Sequence, residues 1–364
     1  MTGSSDNAFM TQALRLAENG LYTAMPNPVV GCVIVNGGAV IGEGWHEVAG
    51  EDHAEIRALK AAGDQARGAT VYVTLEPCAH HGKTPPCAEA LVDAGVDEVV
   101  IGLRDPNPEV DGRGIGILEA AGIKVRSGVL AGEVEHQLRG FLSRVTRGRP
   151  FLRLKMACSL DGCIAMASGE SQWITGPQAR ADVQRLRARS GAVITGIGTV
   201  LADDPSLTVR DPAIDTGGRQ PLRVVLDDRL RMPLSAEMLA LPGETIIYCV
   251  RDANRQPLID AGAEVVNAGS REGHVDARAV LEDLGSRGIN EALVEAGPEL
   301  AGALITDDLV DELVIYQAPH IMGSETKGMF RTPNWTALSD RRSLDIIDTC
   351  QVGPDTRITA RFTN

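Results

Sequence analysis

Apolar positions along the chain switch between a helical and an alternating period. From Asp6 to Asn19, the residues Phe9, Ala13, Leu14, Leu16 and Ala17 predict an opening helix, and Gly20 supplies its stop. Val29 to Val35 and Ala39 to Ile41, on either side of Gly37-Gly38, predict two strands around a tight turn. A helix over 53–62, a strand from Ala69 to Leu75 and a helix opened by Pro86-Cys87 follow. Next come a strand over Val96 to Leu103, a helix around Ile115 to Ala121 and a strand at Ile123 to Val125. Gly132 to Arg147 reads as a helix ending in the basic stretch Arg144 to Arg149, a solvated helix end and linker. The boundary falls there, giving domains 1–148 and 149–364. Beyond it, Phe151–Met156, Ala192–Thr195, Leu222–Leu226, Thr245–Val250 and Ala292–Glu295 read as strands, with a helix from Pro177 to Arg189. The polar, Gly-rich stretch Asp211 to Gln220 predicts a mobile loop. Alternating strands and helices predict a layered α/β architecture in both halves.

Composition narrows the function. At 364 residues the chain exceeds one ordinary core, consistent with two domains. A net charge of −14 and only 3% aromatic residues exclude the basic face and stacking platform that nucleic-acid binding needs. A small phosphorylated substrate needs only a few local Arg or Lys and stays admissible. Seven cysteines, an odd number, form no disulfide-like framework. Cys32, Cys158, Cys163, Cys249 and Cys350 lie in or near apolar runs and read as small buried hydrophobes. Met1 to Asn7 is polar, without the regions of a signal peptide, and no apolar run approaches a membrane span. A cytoplasmic protein without membrane contact is expected.

The chemistry-bearing stretch is His53-Ala54-Glu55, answered by Glu76-Pro77-Cys78 and Pro85-Pro86-Cys87. One imidazole and two thiolates are three zinc ligands, and a catalytic zinc keeps its fourth position open. Glu55 is too close in sequence to His53 to share a helix face with it, so it reads as a proton shuttle and not a fourth ligand. H-x-E followed by P-C-x-x-C marks zinc deaminases of nucleobases; here eight residues separate Cys78 from Cys87 where that signature has two. Ligands at a strand end and at helix N-termini form a sensible cage, because a helix N-terminus favours the thiolate. A structural zinc knuckle is the competing reading. In the second half, Gly196-Ile197-Gly198 has Leu201 where a third dinucleotide-binding glycine belongs. Ala296-Gly297-Pro298 suits a phosphate at a helix N-terminus. Lys155, inside an apolar strand, needs a partner or a ligand.

A series of motifs in fixed order resembles the bifunctional deaminase/reductase family of riboflavin biosynthesis over nearly the whole chain. In the first half these are Pro26-Asn27-Pro28-Val29-Val30-Gly31, His53-Ala54-Glu55, Tyr72 to His80, Gly82 to Cys87 and Asp105-Pro106-Asn107-Pro108. In the second they are Lys155, Ser159-Leu160-Asp161-Gly162, Trp173-Ile174-Thr175-Gly176, Leu201 to Arg210 and Val294-Glu295-Ala296-Gly297. The resemblance implies a cytidine-deaminase-like three-layer α/β/α domain followed by a dihydrofolate-reductase-like α/β domain. It implies zinc (Zn2+) on His53, Cys78 and Cys87, with Glu55 moving the proton, in hydrolysis of an amino group from a diamino-hydroxy-pyrimidinone ribosyl phosphate. NADPH then reduces the ribosyl side chain to ribityl.

By the same resemblance Asn27, His46, His80, Lys83, Thr84, Asp105 and Asn107 surround the first substrate, with Lys83 a point charge for its phosphate. Lys155, Ser171, Trp173, Arg187, Asp203, Arg210 and Glu295 surround the sugar phosphate of the second. Arg187 and Arg210 grip that phosphate, Asp203 orients the sugar and assists ring opening, and Trp173, Thr175, Thr199, Asp203 and Gly297 adjoin the cofactor. A homo-oligomer is also implied. Spacing alone leaves blander readings open: turn residues for Asn27, Asp105 and Asn107, core for Trp173, a helix cap for Glu295, a solvated arginine set for Arg187. Rival functions are a nucleoside or tRNA deaminase with an appended domain, and a zinc-stabilised binding module.

Overall fold

Cys32 and Ile34 face one side of their strand and Val33 and Val35 the other, and all four are buried. A strand apolar on both faces needs cover on both. In the computed structural model, which describes residues 2–79, 86–108, 110–250 and 254–363, helices provide it. The chain folds as two compact units, Met1–Gly148 and Arg149–Asn364.

The first unit runs α1 (Thr2–Glu18), β1 (Gly31–Asn36), β2 (Ala39–Trp45), α2 (Ala54–Ala62), β3 (Thr70–Leu75), α3 (Cys87–Ala94), β4 (Glu98–Leu103), α4 (Arg113–Ala120), β5 (Lys124–Ser127) and α5 (Ala131–Arg147). Its sheet has the order β2-β1-β3-β4-β5. β1 is antiparallel to β2 and β3, whereas β3, β4 and β5 are parallel. α2, α3 and α4 bury Ala54, Ala58, Leu91 and Leu118 against Cys32, Ile34, Val71 and Val73 on one face. α1 and α5 cover the other through Met10, Ala13, Val134 and Leu138. The result is a three-layer α/β/α unit. β2 extends past the expected strand to Trp45 because its glycines admit α2: a Cβ on Gly44 would lie 2.3 Å from the Ala54 carbonyl oxygen.

The second unit contains β6 (Phe151–Cys158), β7 (Cys163–Ala165), α6 (Pro177–Arg189), β8 (Ala192–Gly196), α7 (Ile197–Asp203), β9 (Leu222–Leu226), α8 (Glu237–Ala240), β10 (Thr245–Cys249), α9 (Gln256–Asp260) and β11 (Glu264–Asn267). It continues with β12 (Ser270–Arg271), β13 (His274–Val275), α10 (Ala277–Ser286), β14 (Glu291–Glu295), α11 (Pro298–Thr306), β15 (Glu312–Gln317), β16 (Lys327–Gly328), β17 (Ser343–Val352) and β18 (Asp355–Thr363). Its main sheet has the order β11-β10-β9-β8-β14-β6-β15-β18-β17. The strands from β11 to β15 are parallel; β18 and β17 add an antiparallel hairpin. The chain starts at β6, winds outward to β11, then returns to insert β14 between β8 and β6. Open α/β sheets bind ligands at the carboxyl ends of strands beside such a reversal.

One expectation changes: Arg149 is no solvated linker residue, since it pairs with Asp311 at 3.0 Å. At the end of the 211–220 stretch, Gln220 exchanges two hydrogen bonds with the Val209 backbone and Arg219 donates to the Ser190 and Ala188 carbonyls. Trp173 is 69% exposed, which removes the core alternative for it. Of the cysteines expected inside, Cys32, Cys158, Cys163 and Cys249 are buried and Cys350 is half-buried. No described helix is long and apolar enough to cross a membrane.

Candidate active sites

In the first unit the cage is assembled by three chain ends. His53 is the residue immediately before α2, Cys78 follows β3, and Cys87 opens α3 behind Pro86. Their ligand atoms lie within 4.8 Å of one another. His53 Nδ1 stands 3.2 Å from Cys87 Sγ and 3.5 Å from Cys78 Sγ. A tetrahedral zinc with ordinary bond lengths separates N and S ligands by about 3.5 Å, so the donors fit that ion. The Cys87 backbone N–H donates to Cys78 Sγ at 3.3 Å.

The donor set also carries the electrostatics of a cation site. Cys78 is pulled down to about 4, first by the Cys87 thiol that hydrogen-bonds it, then by His53 and the Cys87 N–H. The same sharing, with burial, drives Cys87 up. His53 is raised chiefly by its hydrogen bond to Cys78. Glu55, 3% exposed on the first turn of α2, is pushed up to about 7 by burial and by the neighbouring Cys78 charge. Protons thus fill a cluster too rich in negative charge, a deficit that a divalent ion removes.

His46 packs edge-on against His53, with ring centroids 5.2 Å apart. Its Nδ1 lies 3.2 Å from the Asp52 carbonyl oxygen, which can only accept, so Nδ1 carries the proton. Nε2 therefore accepts from Asn27 Nδ2 at 3.0 Å, and Asn27 Oδ1 is turned away from His46. Burial keeps His46 below its ordinary pKa. Asp105 is buried, and its carboxylate accepts the Asn107 N–H at 2.8 Å. His80, Lys83 and Thr84 lie outside the described residues.

In the second unit Lys155 of β6 and Glu295 of β14 are register partners at the carboxyl end of the sheet. Arg187 of α6 donates to both Glu295 oxygens, at 2.6 and 3.1 Å, and to the Thr208 carbonyl at 3.0 Å. Its fork is engaged with these protein partners. Lys155 Nζ stands 3.9 Å from Glu295. Burial would raise Glu295, but Arg187 and Lys155, with a contribution from Arg210, outweigh it and hold the carboxylate below its usual range. Burial lowers Lys155.

Ser171 Oγ reaches Asp203 at 3.4 Å. Trp173 lies beneath the Arg180 guanidinium, 4.5 Å from ring centroid to charge, and Arg180 also donates to the Thr175 carbonyl at 2.7 Å. Arg180, which no motif singles out, thus organises two of the residues expected at the cofactor. Gly297 precedes α11, and Thr199 sits on α7, 3.9 Å from where a Gly297 Cβ would be. Gly196, before α7, packs in the same way on Leu300 of α11. Two helix starts side by side after neighbouring strands suit the phosphates of a dinucleotide. The residues present fit NADPH.

Two α/β units, one with a His-Cys-Cys cage beside a buried glutamate and one with a charged cluster at its strand ends, define a two-domain deaminase–reductase class. Residues 3–103 match the cytidine and deoxycytidylate deaminase zinc-binding region, and residues 150–358 match the RibD C-terminal domain. The riboflavin biosynthesis protein RibD of Escherichia coli K12 is 47% identical over 359 residues, 96% of this chain and 97% of that protein. Acinetobacter baumannii RibD, in one solved form, shares 44% identity at a TM-score of 0.93, with 100% of both chains covered. A Thermotoga maritima diaminohydroxyphosphoribosylaminopyrimidine deaminase/5-amino-6-(5-phosphoribosylamino)uracil reductase shares 33% identity at a TM-score of 0.89, again over 100% of both chains. The chain belongs to the RibD family of bifunctional riboflavin-biosynthesis proteins.

Proposed function

We propose that residues 1–148 hydrolyse the amino group of a diamino-hydroxy-pyrimidinone ribosyl phosphate and that residues 149–364 reduce the ribosyl chain of the product with NADPH. The observation that carries this reading is the meeting of His53, Cys78 and Cys87 beside a Glu55 poised near 7, in a chain alike over its full length to bifunctional relatives. Zinc, held by His53, Cys78 and Cys87, supplies a Lewis acid that brings a water ligand towards neutral acidity. Glu55 takes a proton from the attacking water and returns it to the departing amine, so that C–N breaks, C–O forms and ammonia leaves. Asn27 Oδ1, fixed by His46, accepts from a pyrimidine N–H, and Asp105 and Asn107 line the substrate. Lys83, Thr84 and His80 keep their substrate roles by resemblance.

In the second unit NADPH supplies the hydride. Arg210 meets the substrate phosphate, while Arg187 holds Glu295 towards the sugar and Lys155. Asp203, with Ser171, orients the sugar and assists ring opening. Trp173, Thr175, Thr199 and Gly297 flank the cofactor. Such a substrate is a small phosphorylated pyrimidine, and the protein acts in the cytoplasm without nucleic acid or membrane. A homo-oligomer is supported by β17, a ten-residue edge strand exposing Leu344, Ile346 and Ile347. Light scattering of the purified protein tests it; a monomer removes that assignment.

The deciding experiment gives purified protein the pyrimidinone ribosyl phosphate and follows ammonia and NADPH in parallel, with and without a zinc chelator. Ammonia release lost on chelation, and NADPH oxidation that depends on that release, is the expected result. Neither signal from zinc-loaded protein overturns the reading.

A further inference from the structure

We propose that Glu76 is the positioning residue that ties the zinc cage of the first unit to its substrate loop. The proposal rests on the assignment of His53, Cys78 and Cys87 to zinc and of Asp105 and Asn107 to substrate. Glu76 stands just beyond β3, two residues before Cys78, and is buried. Its carboxylate gathers backbone N–H groups from two separate segments. Oε2 accepts Asp105 N–H at 3.3 Å and Gly112 N–H at 3.1 Å, while Oε1 accepts Ile115 N–H at 3.2 Å. Gly112 immediately precedes α4 and has no side chain with which to cap it. Glu76 supplies that cap from another strand, its negative charge suited to the helix N-terminus.

A cap alone would be a stability device. What carries the inference further is where the other contacts lead. The Glu76 N–H donates to the Leu103 carbonyl at 3.0 Å, and the Asp105 N–H returns to the Glu76 carboxylate, so the ends of β3 and β4 are laced together. The Asp105 carboxylate in turn holds the Asn107 N–H at 2.8 Å. In the opposite direction, the Cys78 carbonyl accepts the Ala88 N–H of α3 at 3.2 Å. A short rigid path therefore runs from α3 through Cys78, Pro77 and Glu76 to Asp105 and Asn107. α4 closes on the same path: a Cβ at Gly114 would lie 2.0 Å from the Pro77 carbonyl oxygen and 3.3 Å from Glu76 Oε1. Only a residue without a side chain lets α4 seat this tightly against the peptide that leads to the metal ligand. Moving Glu76 thus shifts a metal ligand and the substrate loop relative to each other, although Glu76 touches neither metal nor substrate.

The test is Glu76→Gln in the full chain. Glutamine keeps the shape but must turn an N–H2 towards at least one backbone N–H. Expected is a loss of about 10- to 100-fold in kcat/KM for ammonia release, with KM raised, as when a partner behind a metal ligand is removed. NADPH oxidation on the deaminated product stays at the wild-type rate. The cobalt-substituted variant should show a displaced thiolate-to-cobalt absorption band, which a loss of folded fraction alone would only weaken. KM and band position equal to wild type overturn the proposal. If Glu76→Gln does not fold in its first unit, Glu76→Asp, which keeps the charge on a shorter arm, decides on the same two readouts. Wild-type protein that neither binds zinc nor releases ammonia removes the underlying site assignment instead, and this proposal with it.

Discussion

Glu295→Gln tests the charge logic of the second unit most directly. The native carboxylate answers two buried cations, Arg187 through both oxygens and Lys155 at 3.9 Å. All three side chains are less than one-fifth exposed, at 12% for Glu295, 10% for Arg187 and 18% for Lys155, so solvent screens them little. Removing one member of a buried pair costs about 3–5 kcal/mol, because the remaining charge stays desolvated. At about 2–4 °C per kcal/mol for a domain of this size, the reductase transition should fall by roughly 6–20 °C in calorimetry. Ammonia release, in the other unit, should persist while NADPH oxidation is lost. The pH dependence has a definite sign. Glu295 is held below its ordinary pKa in the folded state, so its contribution is complete above the unfolded value of about 4.3. It disappears as pH falls through the lower folded value. Chemical unfolding of wild type and variant should therefore converge as the medium is acidified below about pH 4. A variant with an unchanged reductase transition at neutral pH, or a gap that widens in acid, refutes the reasoning.

Glu55→Gln should keep one zinc per chain and lose at least about 100-fold in ammonia release, the lower end of what a positioned proton carrier contributes; turnover near wild type removes Glu55 from the mechanism. Arg153→Met should cost the second unit about 3–5 kcal/mol in urea unfolding, because Glu291 and Glu312 lose their shared guanidinium, with the KM of the reductase step unchanged. Gly44→Ala should destabilise the first unit by about 1–3 kcal/mol through overpacking against Ala54, and a thermal midpoint equal to wild type contradicts the close approach.

The sheet strands were legible where apolar side chains are buried on both faces, as in β1 and β3. The C-terminal hairpin was not. β17 carries Ser343, Asp345, Asp348 and Thr349 between its apolar residues and lies mostly exposed at the sheet edge, so it has no continuous hydrophobic signal. The three cage residues could be read because metal ligation demands particular side chains at particular chain ends. Glu76 and Arg180 could not, since each acts through backbone groups or a ring brought near by the fold. Arg187 shows the limit from the other side: spacing offered a solvated arginine, which does not describe a guanidinium closed on Glu295. The pairing depends on α6 packing over β14, which no local stretch of sequence displays.

β14 shows how the same residue type serves two ends of one sheet. Glu291 and Glu295 begin and end this strand, four residues apart and therefore on the same face. α6 covers that face and sends Arg189 to Glu291 and Arg187 to Glu295. β6 adds Arg153 at the first end and Lys155 at the second. The two networks are near copies in composition, but the strand has a direction. At its amino end Arg153 is 1% exposed and lies between Glu291 and Glu312, a set of charges with protein partners on both sides. At its carboxyl end β8 and β14 lead into the starts of α7 and α11, and Lys155 meets Glu295 only at 3.9 Å. The tight network leaves its central guanidinium and both carboxylates almost fully buried, a setting for stability. The looser one combines a buried carboxylate, a lysine weakened by burial and a neighbouring arginine charge at the edge where this class of sheet receives its ligands. Strand direction, more than residue identity, sets the glutamate at the amino end of the strand apart from the one at the end where such sheets receive ligands.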